Sequence, residues 1–270
     1  LANIDTARLI VLRGVSTRWR AMIERLCSLK RALFLHYDTG HSKFAPSWTY
    51  HRSWCFDGLG LNPHHFTAIA YPITDCDQLE SVQLPIFLRR LFPNVQALAI
   101  YVQAVPLSTN SLLTLLDQWP LSTVALRIKL PDSHAVAALG DRLNSMSSLR
   151  QLCLGDGSHF HGSQLAPTLA RLERFDIVLP FMREYGDTEP DSNPSELFHK
   201  FGSNCTHVSY RGPLSVAQLH KALNQRLLGQ LTHLRLWGPL DGAPLTLLCK
   251  YGVNLQKLVI ELASRVSVAK

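Results

Sequence analysis

Residues 149–155 read LRQLCLG, and residues 231–237 read LTHLRLW. In both stretches apolar residues stand at the first, fourth and sixth positions, which is the spacing L-x-x-L-x-L. The second half of each stretch alternates leucine with other residues, and this period of two is typical of a β-strand with one buried face. A short strand of this kind cannot bury its apolar face alone. The two stretches therefore predict units that stack on one another along the chain.

The same spacing returns throughout the chain from residue 66 onward. The middle anchors of successive copies lie 23 to 33 residues apart, with a mean of 27, close to the roughly 20–29 residues of repeats that carry one strand each. The predicted anchors, with the two weaker copies last, are Phe66, Ile69, Tyr71; Val95, Leu98, Ile100; Leu149, Leu152, Leu154; Leu172, Phe175, Ile177; Leu231, Leu234, Leu236; Leu255, Leu258, Ile260; Thr123, Leu126, Ile128; and Cys205, Val208, Tyr210.

Between the predicted strands the apolar period changes to about 3.6, which is typical of amphipathic helices. Each unit is thus predicted to be a strand, a turn and a helix, and the chain is assigned to the α/β class. The helical stripes are Leu112, Leu115, Leu116, Trp119; Val136, Leu139, Leu143, Met146; and Val216, Leu219, Leu223. Residues expected to cap or begin helices are Ser108, Ser133, Ser163, Ser215 and Pro194.

Proline stands three residues after the last strand anchor in four of the eight copies, at Pro131, Pro180, Pro213 and Pro239. Proline lacks the amide hydrogen that a strand ladder needs, so these positions are expected to end strands. Residues 66–262 resemble an array of leucine-rich repeats. That family commonly has Asn or Cys where this chain has proline or, once each, Gln103 and Gly157, so the asparagine ladder of regular arrays is expected to be absent.

Residues 8–35 resemble the C-terminal half of an F-box, in which an apolar helix carries a V-S-x-R-W core; here that core is residues 15–19. The opening helix of that family is not present before Leu1, so the resemblance covers about half of the module. The first residue is Leu1 rather than Met, so we expect the chain to be a fragment. A second interpretation is an amphipathic helix that caps the open end of the repeats. The resemblance implies that the residues contacting a Skp-type adaptor are Leu9, Leu12, Val15, Trp19 and Met22.

The predicted organisation is therefore an α-helical F-box-like segment at 1–35, an aromatic-rich linker or irregular first repeat at 36–65, and a leucine-rich repeat solenoid at 66–270. F-box proteins of this kind are substrate receptors of cullin-type ubiquitin ligases: the F-box binds the Skp-type adaptor of the cullin complex, and the repeats hold the target protein. The resemblance implies a protein that is not an enzyme and needs no cofactor. The alternative is a leucine-rich repeat scaffold or inhibitor without ligase coupling.

Strand alternation predicts which side chains are available to a partner. If Leu98 and Ile100 point into the core, the residues between and beside them point to the exposed concave face. We expect Arg211, Arg235 and Trp237 to form the main contact for an acidic or phosphorylated segment, because Arg and Trp are enriched at energetic centres of interfaces. A solvated face without a partner is the alternative. The predicted face comprises Tyr101, Arg127, Lys129, Gln151, Arg174, His207, Arg211, His233, Arg235, Trp237 and Lys257, with Asp176 and Glu261 as acidic members.

Composition limits the classes of function. Hydrophobic residues make up 46% of the chain and charged residues 17%, which favours a packed core over disorder. No apolar run approaches the ~20 residues that span a bilayer, so no membrane partner is expected. Six dispersed cysteines favour reduced thiols in the cytoplasm and/or nucleus. Residues 1–35 contribute most of the net charge of +7, with seven basic residues against two acidic ones. The charge of residues 36–270 is therefore nearly balanced, which argues against nucleic acid as the partner of the repeats.

Motifs for catalysis or metal binding are missing from the sequence. His64–His65 and His159-x-His161 lack further ligands at established spacing, so they are interpreted as surface histidines. Neither a phosphate-binding glycine loop nor a nucleophile turn occurs. A dispersed active site, assembled only in the fold, stays open as an alternative. Two stretches outside the repeat pattern, 36–57 and 181–195, are interpreted as aromatic packing over the first repeat and as a loop insertion.

Overall fold

The computed structural model describes residues 32–34, 67–73, 83–102, 108–128, 130, 132–155, 163–178, 194–211, 221, 223–237 and 242–261. The chain divides into two compact units, residues 1–122 and 123–270. Nearly all of the predicted F-box-like segment and all of the segment at 36–65 lie outside the described residues, so those boundaries stay predictions.

The first unit contains parallel strands that follow one another in chain order. Its elements are β1 (Ala32–Phe34), β2 (Ala68–Ile73), α1 (Gln83–Leu91), β3 (Ala97–Val102) and α2 (Thr109–Leu116). Strand β1 pairs with β2 and β2 pairs with β3, in both cases parallel. Ile69 stands opposite Leu98 in that register, as the repeat pattern requires.

The second unit continues the same alternation of strand and helix. Each strand from β4 to β8 pairs in parallel with the next strand in the chain. Parallel strands joined by helices confirm the predicted α/β class. The elements are β4 (Thr123–Arg127), α3 (Ser133–Ser145), β5 (Gln151–Gly155), α4 (Ala166–Leu169), β6 (Arg174–Val178), α5 (Pro194–His199), β7 (His207–Arg211), α6 (Gln225–Gln230), β8 (His233–Trp237), α7 (Gly242–Tyr251) and β9 (Lys257–Glu261).

The predicted anchors of strands β5 to β8 form the core of the second unit. Leu149, Leu152 and Leu154 are at most 1% exposed, and the weaker copy at Cys205, Val208 and Tyr210 is at most 3% exposed. Anchors on neighbouring strands stand opposite each other, for example Leu152 and Phe175. The apolar residues therefore pack in rows that run from strand to strand, which confirms that burial comes from stacking.

The predicted register of the copy at Thr123, Leu126 and Ile128 is wrong by two residues. Strand β4 pairs so that Val124 stands opposite Leu152 and Leu126 opposite Leu154. The error arose because Val124, Leu126 and Ile128 alternate without interruption and all three are buried, so the pattern fits in two frames. A shift of two residues keeps every side chain on the same face. It also removes Pro131 from the proline regularity, whose four members lie outside the described residues.

Backbone hydrogen bonds join each repeat to the preceding one just before the strand begins. Two consecutive amides donate to one carbonyl of the previous repeat: in the first unit Gln96 and Ala97 donate to Thr67 O, at 2.7 and 3.0 Å. The same arrangement recurs with 23 to 34 residues between donor and acceptor. The acceptor carbonyls in the second unit are those of Arg150, Glu173, Thr206 and Thr232.

Side-chain hydrogen bonds supply a second set of contacts between repeats. In the first unit Trp119 Nε1 donates to Phe92 O at 2.7 Å, a separation of 27 residues. In the second unit Arg171 donates to Leu143 O, 28 residues earlier, and Gln230 donates to Gly202 O at 2.7 Å. These acceptors are carbonyls in the last turn of a helix or just beyond its end, where regular helical hydrogen bonding stops. The next repeat provides a hydrogen bond to each, in addition to the local backbone donors at Leu143 O and Gly202 O.

The helices confirm the apolar stripes but correct two caps. Val136, Leu139 and Leu143 are buried in α3, as predicted. The cap of α3 is Asp132, whose carboxylate accepts from Ala135 N, rather than Ser133, because both neighbouring residues are good caps and the helix begins one residue earlier than expected.

The other cap predictions have mixed outcomes. Ser108 is the N-cap residue of α2 but makes no side-chain cap hydrogen bond. The cap of α4 is Leu165, so Ser163 is also wrong. Pro194 begins α5 as predicted, and Ser215 with the stripe at 216–219 lies outside the described residues. None of the helices in the described ranges is long and apolar enough to cross a membrane.

Candidate protein-binding face

Alternation along β4–β9 places one set of side chains opposite the core. In β6, Phe175 and Ile177 are buried while Arg174 is exposed and Asp176 is half-buried. We call the side of β4–β9 opposite the buried anchors the outward face. Because the strands pair in register, residues at equivalent positions stand side by side across it.

The register sorts this face into columns that run across the strands. The first column consists of Thr123, Gln151, Arg174, His207, His233 and Lys257. The second consists of Ala125, Cys153, Asp176, Ser209, Arg235 and Val259. The third contains Arg211, Trp237 and Glu261 on the last three strands.

Most predicted partner-binding residues lie at the expected strand positions. Arg127, Arg174 and Lys257 are exposed, and Arg235 is half-buried. Arg211 stands directly opposite Trp237, with Arg235 two residues before Trp237 on the same side of β8. The structure does not describe the side chains of Arg211 and Trp237.

For the other predicted site residues the structure describes no side-chain position. Tyr101 belongs to β3 of the first unit, and its side chain is not described. Lys129 lies outside the described residues. So do the predicted adaptor-binding residues Leu9, Leu12, Val15, Trp19 and Met22.

A stacked pair of histidines occupies the middle of the first column. The rings of His207 and His233 have centroids 4.1 Å apart and an angle of 13° between their planes. Each ring is held by the threonine that precedes it: Thr206 Oγ1 lies 2.8 Å from His207 Nδ1, and Thr232 Oγ1 lies 3.0 Å from His233 Nδ1. Sequence reasoning placed both histidines on this face but missed the pair. The signal was the Thr-His dipeptide repeated at the start of two strands.

Burial and the neighbouring charges favour the neutral form of the His207 imidazole. The pKa of His207 is lowered from its ordinary value of 6.5 by partial burial, then by the neighbouring His233 and Arg174, against a smaller raising effect of Asp176. Arg174 Nε donates to Asp176 Oδ2 at 2.7 Å, which offsets part of its positive charge. A negative group that approached the pair would therefore favour proton uptake by the rings.

The thiol on this face is not activated as a nucleophile. Burial raises the pKa of Cys153 to about 11, with a further contribution from the negative charge of Asp176. Burial also raises the pKa of Cys205, to about 12. The reactive form of cysteine is the thiolate, so both side chains are protonated near neutral pH. We therefore assign Cys153 a packing role on the face.

Gly155 shapes the neighbouring part of the face. A Cβ atom built on Gly155 would lie 3.2 Å from Cγ of Arg127, which stands opposite it in the register. The missing side chain thus leaves room for the aliphatic part of Arg127 to lie across the end of β5. Long basic side chains often lie over apolar surface in this way, with the charged group directed to solvent.

Among the residues that the structure describes, no group of three or more His, Cys, Asp or Glu is placed to hold a metal ion. The stacked rings do not suit one metal either, because nearly parallel rings direct their nitrogen lone pairs side by side rather than toward one point. The sequence pairs His64–His65 and His159–His161 lie outside the described residues.

No family model matches this chain, and the search of curated proteins finds no match to it.

Proposed function

We propose that this chain is a leucine-rich repeat protein that binds another protein through its outward face. The observation that carries the proposal is the strand register, which aligns Arg174, His207, His233 and Lys257 side by side on the surface opposite the core. Repeats with a mean length of 27 residues and buried L-x-x-L-x-L anchors support the assignment to the leucine-rich type. A rigid sheet that presents rows of polar side chains suits recognition of an extended surface.

The proposed partner carries an acidic or phosphorylated segment. Arg211 stands opposite Trp237 in the strand register, and Arg235 precedes Trp237 by two residues in β8, so two arginines and a tryptophan occupy neighbouring strand positions. Arginine forms strong charge-assisted hydrogen bonds with carboxylate and phosphate, and both Arg and Trp are enriched where interfaces derive most of their binding energy.

The test is a double substitution, Arg235→Ala with Trp237→Ala, compared with Arg226→Ala, which removes an exposed arginine from helix α6, the helix that precedes β8. Proteins bound by each full-length variant are quantified by mass spectrometry, with folding checked by circular dichroism. We expect the double variant to lose its specific partner at least tenfold, and Arg226→Ala to retain it. Equal capture by the two folded variants would remove these residues from the interface.

We further propose that the bound protein is a ubiquitination substrate and that the chain is the substrate-recognition subunit of a cullin-type ubiquitin ligase. The support is the resemblance of residues 8–35 to an F-box, with Leu9, Leu12, Val15, Trp19 and Met22 contacting a Skp-type adaptor. Such a receptor performs no chemistry and needs no cofactor; it raises the local concentration of substrate near the charged enzyme. It would act in the cytoplasm and/or nucleus, which agrees with free thiols at Cys153, Cys205 and Cys249.

The ligase assignment is tested by binding of the full-length protein to purified Skp-type adaptor. We expect Val15→Glu and Trp19→Ala each to abolish that binding, because they place a charge in, or remove an aromatic ring from, an apolar contact. The Arg235→Ala/Trp237→Ala variant is the matched control and should bind the adaptor normally. If the wild-type protein binds no adaptor yet captures its partner, the function is that of a repeat scaffold or inhibitor.

A further inference from the structure

The stacked histidines lie between two other basic side chains of the first column. Arg174 stands opposite His207, and Lys257 stands opposite His233. Paired strands are about 4.8 Å apart, so these four residues span roughly 14 Å across the sheet. The midpoint of the histidine pair is then about 7 Å from each flanking basic residue.

That spacing matches an extended peptide. A chain in β conformation rises about 3.3 Å per residue, so side chains two residues apart on one side are separated by about 6.6 Å. A segment lying across the strands could therefore place one acidic side chain on the histidine pair and the acidic side chains two residues before and after it on Arg174 and Lys257. The overall charge is complementary: the outward positions of β6–β9 hold four residues of Arg or Lys against two acidic ones.

Contacts with Thr206 and Thr232 hold both histidine rings in an orientation that suits binding of an anion. A threonine hydroxyl donates to Nδ1 of a neutral ring and accepts from Nδ1–H of a protonated ring, so the contacts at 2.8 and 3.0 Å survive a change of charge. In the neutral tautomer whose Nδ1 accepts from the threonine, and in the protonated ring, Nε2 carries a hydrogen. Within the described part of the chain neither Nε2 has a hydrogen-bond partner recorded, and both histidines are half-buried. One carboxylate has two oxygen atoms, enough to accept one hydrogen bond from each ring.

We propose that this column binds an extended segment of a partner protein with the pattern acid-x-acid-x-acid, and that binding is coupled to proton uptake by the His207–His233 pair. This inference rests on the proposed use of the outward face for protein binding. It adds the spacing of the recognised acids and a dependence on pH.

The direction of that dependence follows from the groups around the pair. In the strand register His207 stands opposite Arg174 of β6, and Asp176 lies two residues further along that strand. His233 stands opposite Lys257 of β9, and Arg235 lies two residues after His233 on β8. Two positively charged imidazolium rings 4.1 Å apart repel each other, and the guanidinium of Arg174 repels a charged His207 ring. Protonation of both rings at once is therefore disfavoured in the free protein. A bound carboxylate reverses this balance. The pKa of His207 is lowered in the free protein, so affinity is greatest below that pKa and is lost as pH rises through the higher pKa that a bound carboxylate gives this ring.

The test uses two synthetic peptides of identical composition with the full-length protein. In one, three glutamates alternate with serines (acetyl-SESESES-amide); in the other, the glutamates are consecutive (acetyl-SSEEESS-amide). Isothermal titration calorimetry at pH 5.5 and 7.5 measures affinity, and buffers with different ionisation enthalpies report the protons taken up. We expect the alternating peptide to bind several-fold more tightly than its isomer at pH 5.5, and about tenfold more weakly at pH 7.5 than at pH 5.5.

Three variants separate the contributions. His207→Gln with His233→Gln should abolish proton uptake and the difference between the two pH values, whereas His134→Gln, at an exposed position of helix α3, should leave both unchanged. Lys257→Gln should weaken binding at both pH values and keep their ratio. If the double histidine variant fails to fold, the single His233→Gln variant should still reduce proton uptake.

Equal affinity for the two isomers, or pH dependence that persists in the folded histidine variants, would overturn the inference. Neither result would affect the proposed function, which is judged separately by partner capture in Arg235→Ala/Trp237→Ala. The Arg235→Ala/Trp237→Ala variant could lose its partner while the wild-type protein binds both peptides equally at both pH values. The outward face would then bind protein, but not through alternating acidic residues or proton uptake.

Discussion

Strands β8 and β9 have the same apolar pattern, LTHLRLW and LQKLVIE, and pair in register, yet they differ in burial. Leu234 is 1% exposed, whereas Leu258, the residue directly opposite it, is 43% exposed. Strand β8 lies between β7 and β9. Among the described residues, β9 is paired with β8 only. The pattern therefore determines which way a leucine points, but the neighbouring repeat determines how much of it is removed from water.

The largest expected effect is a direct test of this difference. Leu234→Ala should destabilise the fold by about 2–5 kcal/mol, because it removes a fully buried side chain and leaves a cavity. Leu258→Ala should cost less than about 1.5 kcal/mol, because that leucine is already partly exposed. Urea unfolding followed by circular dichroism measures both. Equal costs would mean that β9 is covered as fully as β8 in the folded protein.

A second test concerns how closely the interior repeats approach each other. A Cβ atom on Gly202 would lie 1.8 Å from the carbonyl oxygen of Ala170 in the preceding repeat, so Gly202→Ala must push two repeats apart. We expect a loss of about 1–3 kcal/mol in the free energy of unfolding.

Gly229 is the matched control, since a Cβ there meets nothing within 4 Å and the residue lies inside helix α6. Gly229→Ala should stabilise the protein by about 0.5–1 kcal/mol, because alanine loses less entropy in a helix. Thermal melting compares the two variants. A neutral Gly202→Ala variant would show that the repeats are free to separate at this point.

The existence and direction of the strands were predictable because each repeat is locally consistent. In residues 231–237 the alternation, the spacing of the anchors and the polar residues between them all indicate the same strand with the same buried face. Register failed only at residues 121–128, where apolar residues alternate for longer than the strand itself. There the partner strand decides the pairing, and a single repeat does not contain that information.

The sequence was sufficient to predict which residues lie on the outward face, but not how their side chains are arranged there. Alternation placed His207 and His233 on the same side of their strands, and this needed only the period of a strand. The stacking of their rings depends on the pairing of β7 with β8 and on the two threonine contacts, which are properties of neighbouring repeats together. Caps were missed for a simpler reason: Asp132 and Ser133 are both good caps, and only the first helical turn distinguishes them.

A smaller effect is expected from the side chains that tie repeats together. Gln230 Nε2 donates to Gly202 O at 2.7 Å and to Cys205 O at 3.2 Å from a partly buried position, within the interior of the second unit. Asn254 makes the equivalent tie from the last described repeat to Gly229 O, and it is exposed. Gln230→Ala should lower the free energy of unfolding by about 1–2 kcal/mol and Asn254→Ala by about 0.5 kcal/mol. A carbonyl that loses its hydrogen-bond donor is destabilised more where water cannot take the donor's place. Chemical denaturation of both variants checks the order, and the reverse order would contradict the distinction between interior and last repeats.

The smallest expected effect is on the pH dependence of stability, and it again compares an interior strand with β9. In the first column His207 lies on the interior strand β7 and Lys257 lies on β9. The pKa of folded His207 lies below its ordinary value of 6.5, chiefly through burial. The unfolded chain therefore binds more protons in this range, so this contribution to stability is present above about pH 6.5 and is lost as pH falls through the lower, folded pKa. Unfolding of wild-type protein, His207→Gln and Lys257→Gln between pH 5 and 7.5 should show a shallower slope only in the histidine variant, since lysine stays charged throughout. An unchanged slope in His207→Gln would mean that His207 titrates in the folded protein as it does in the unfolded chain, and that its partial burial does not disfavour the charged ring.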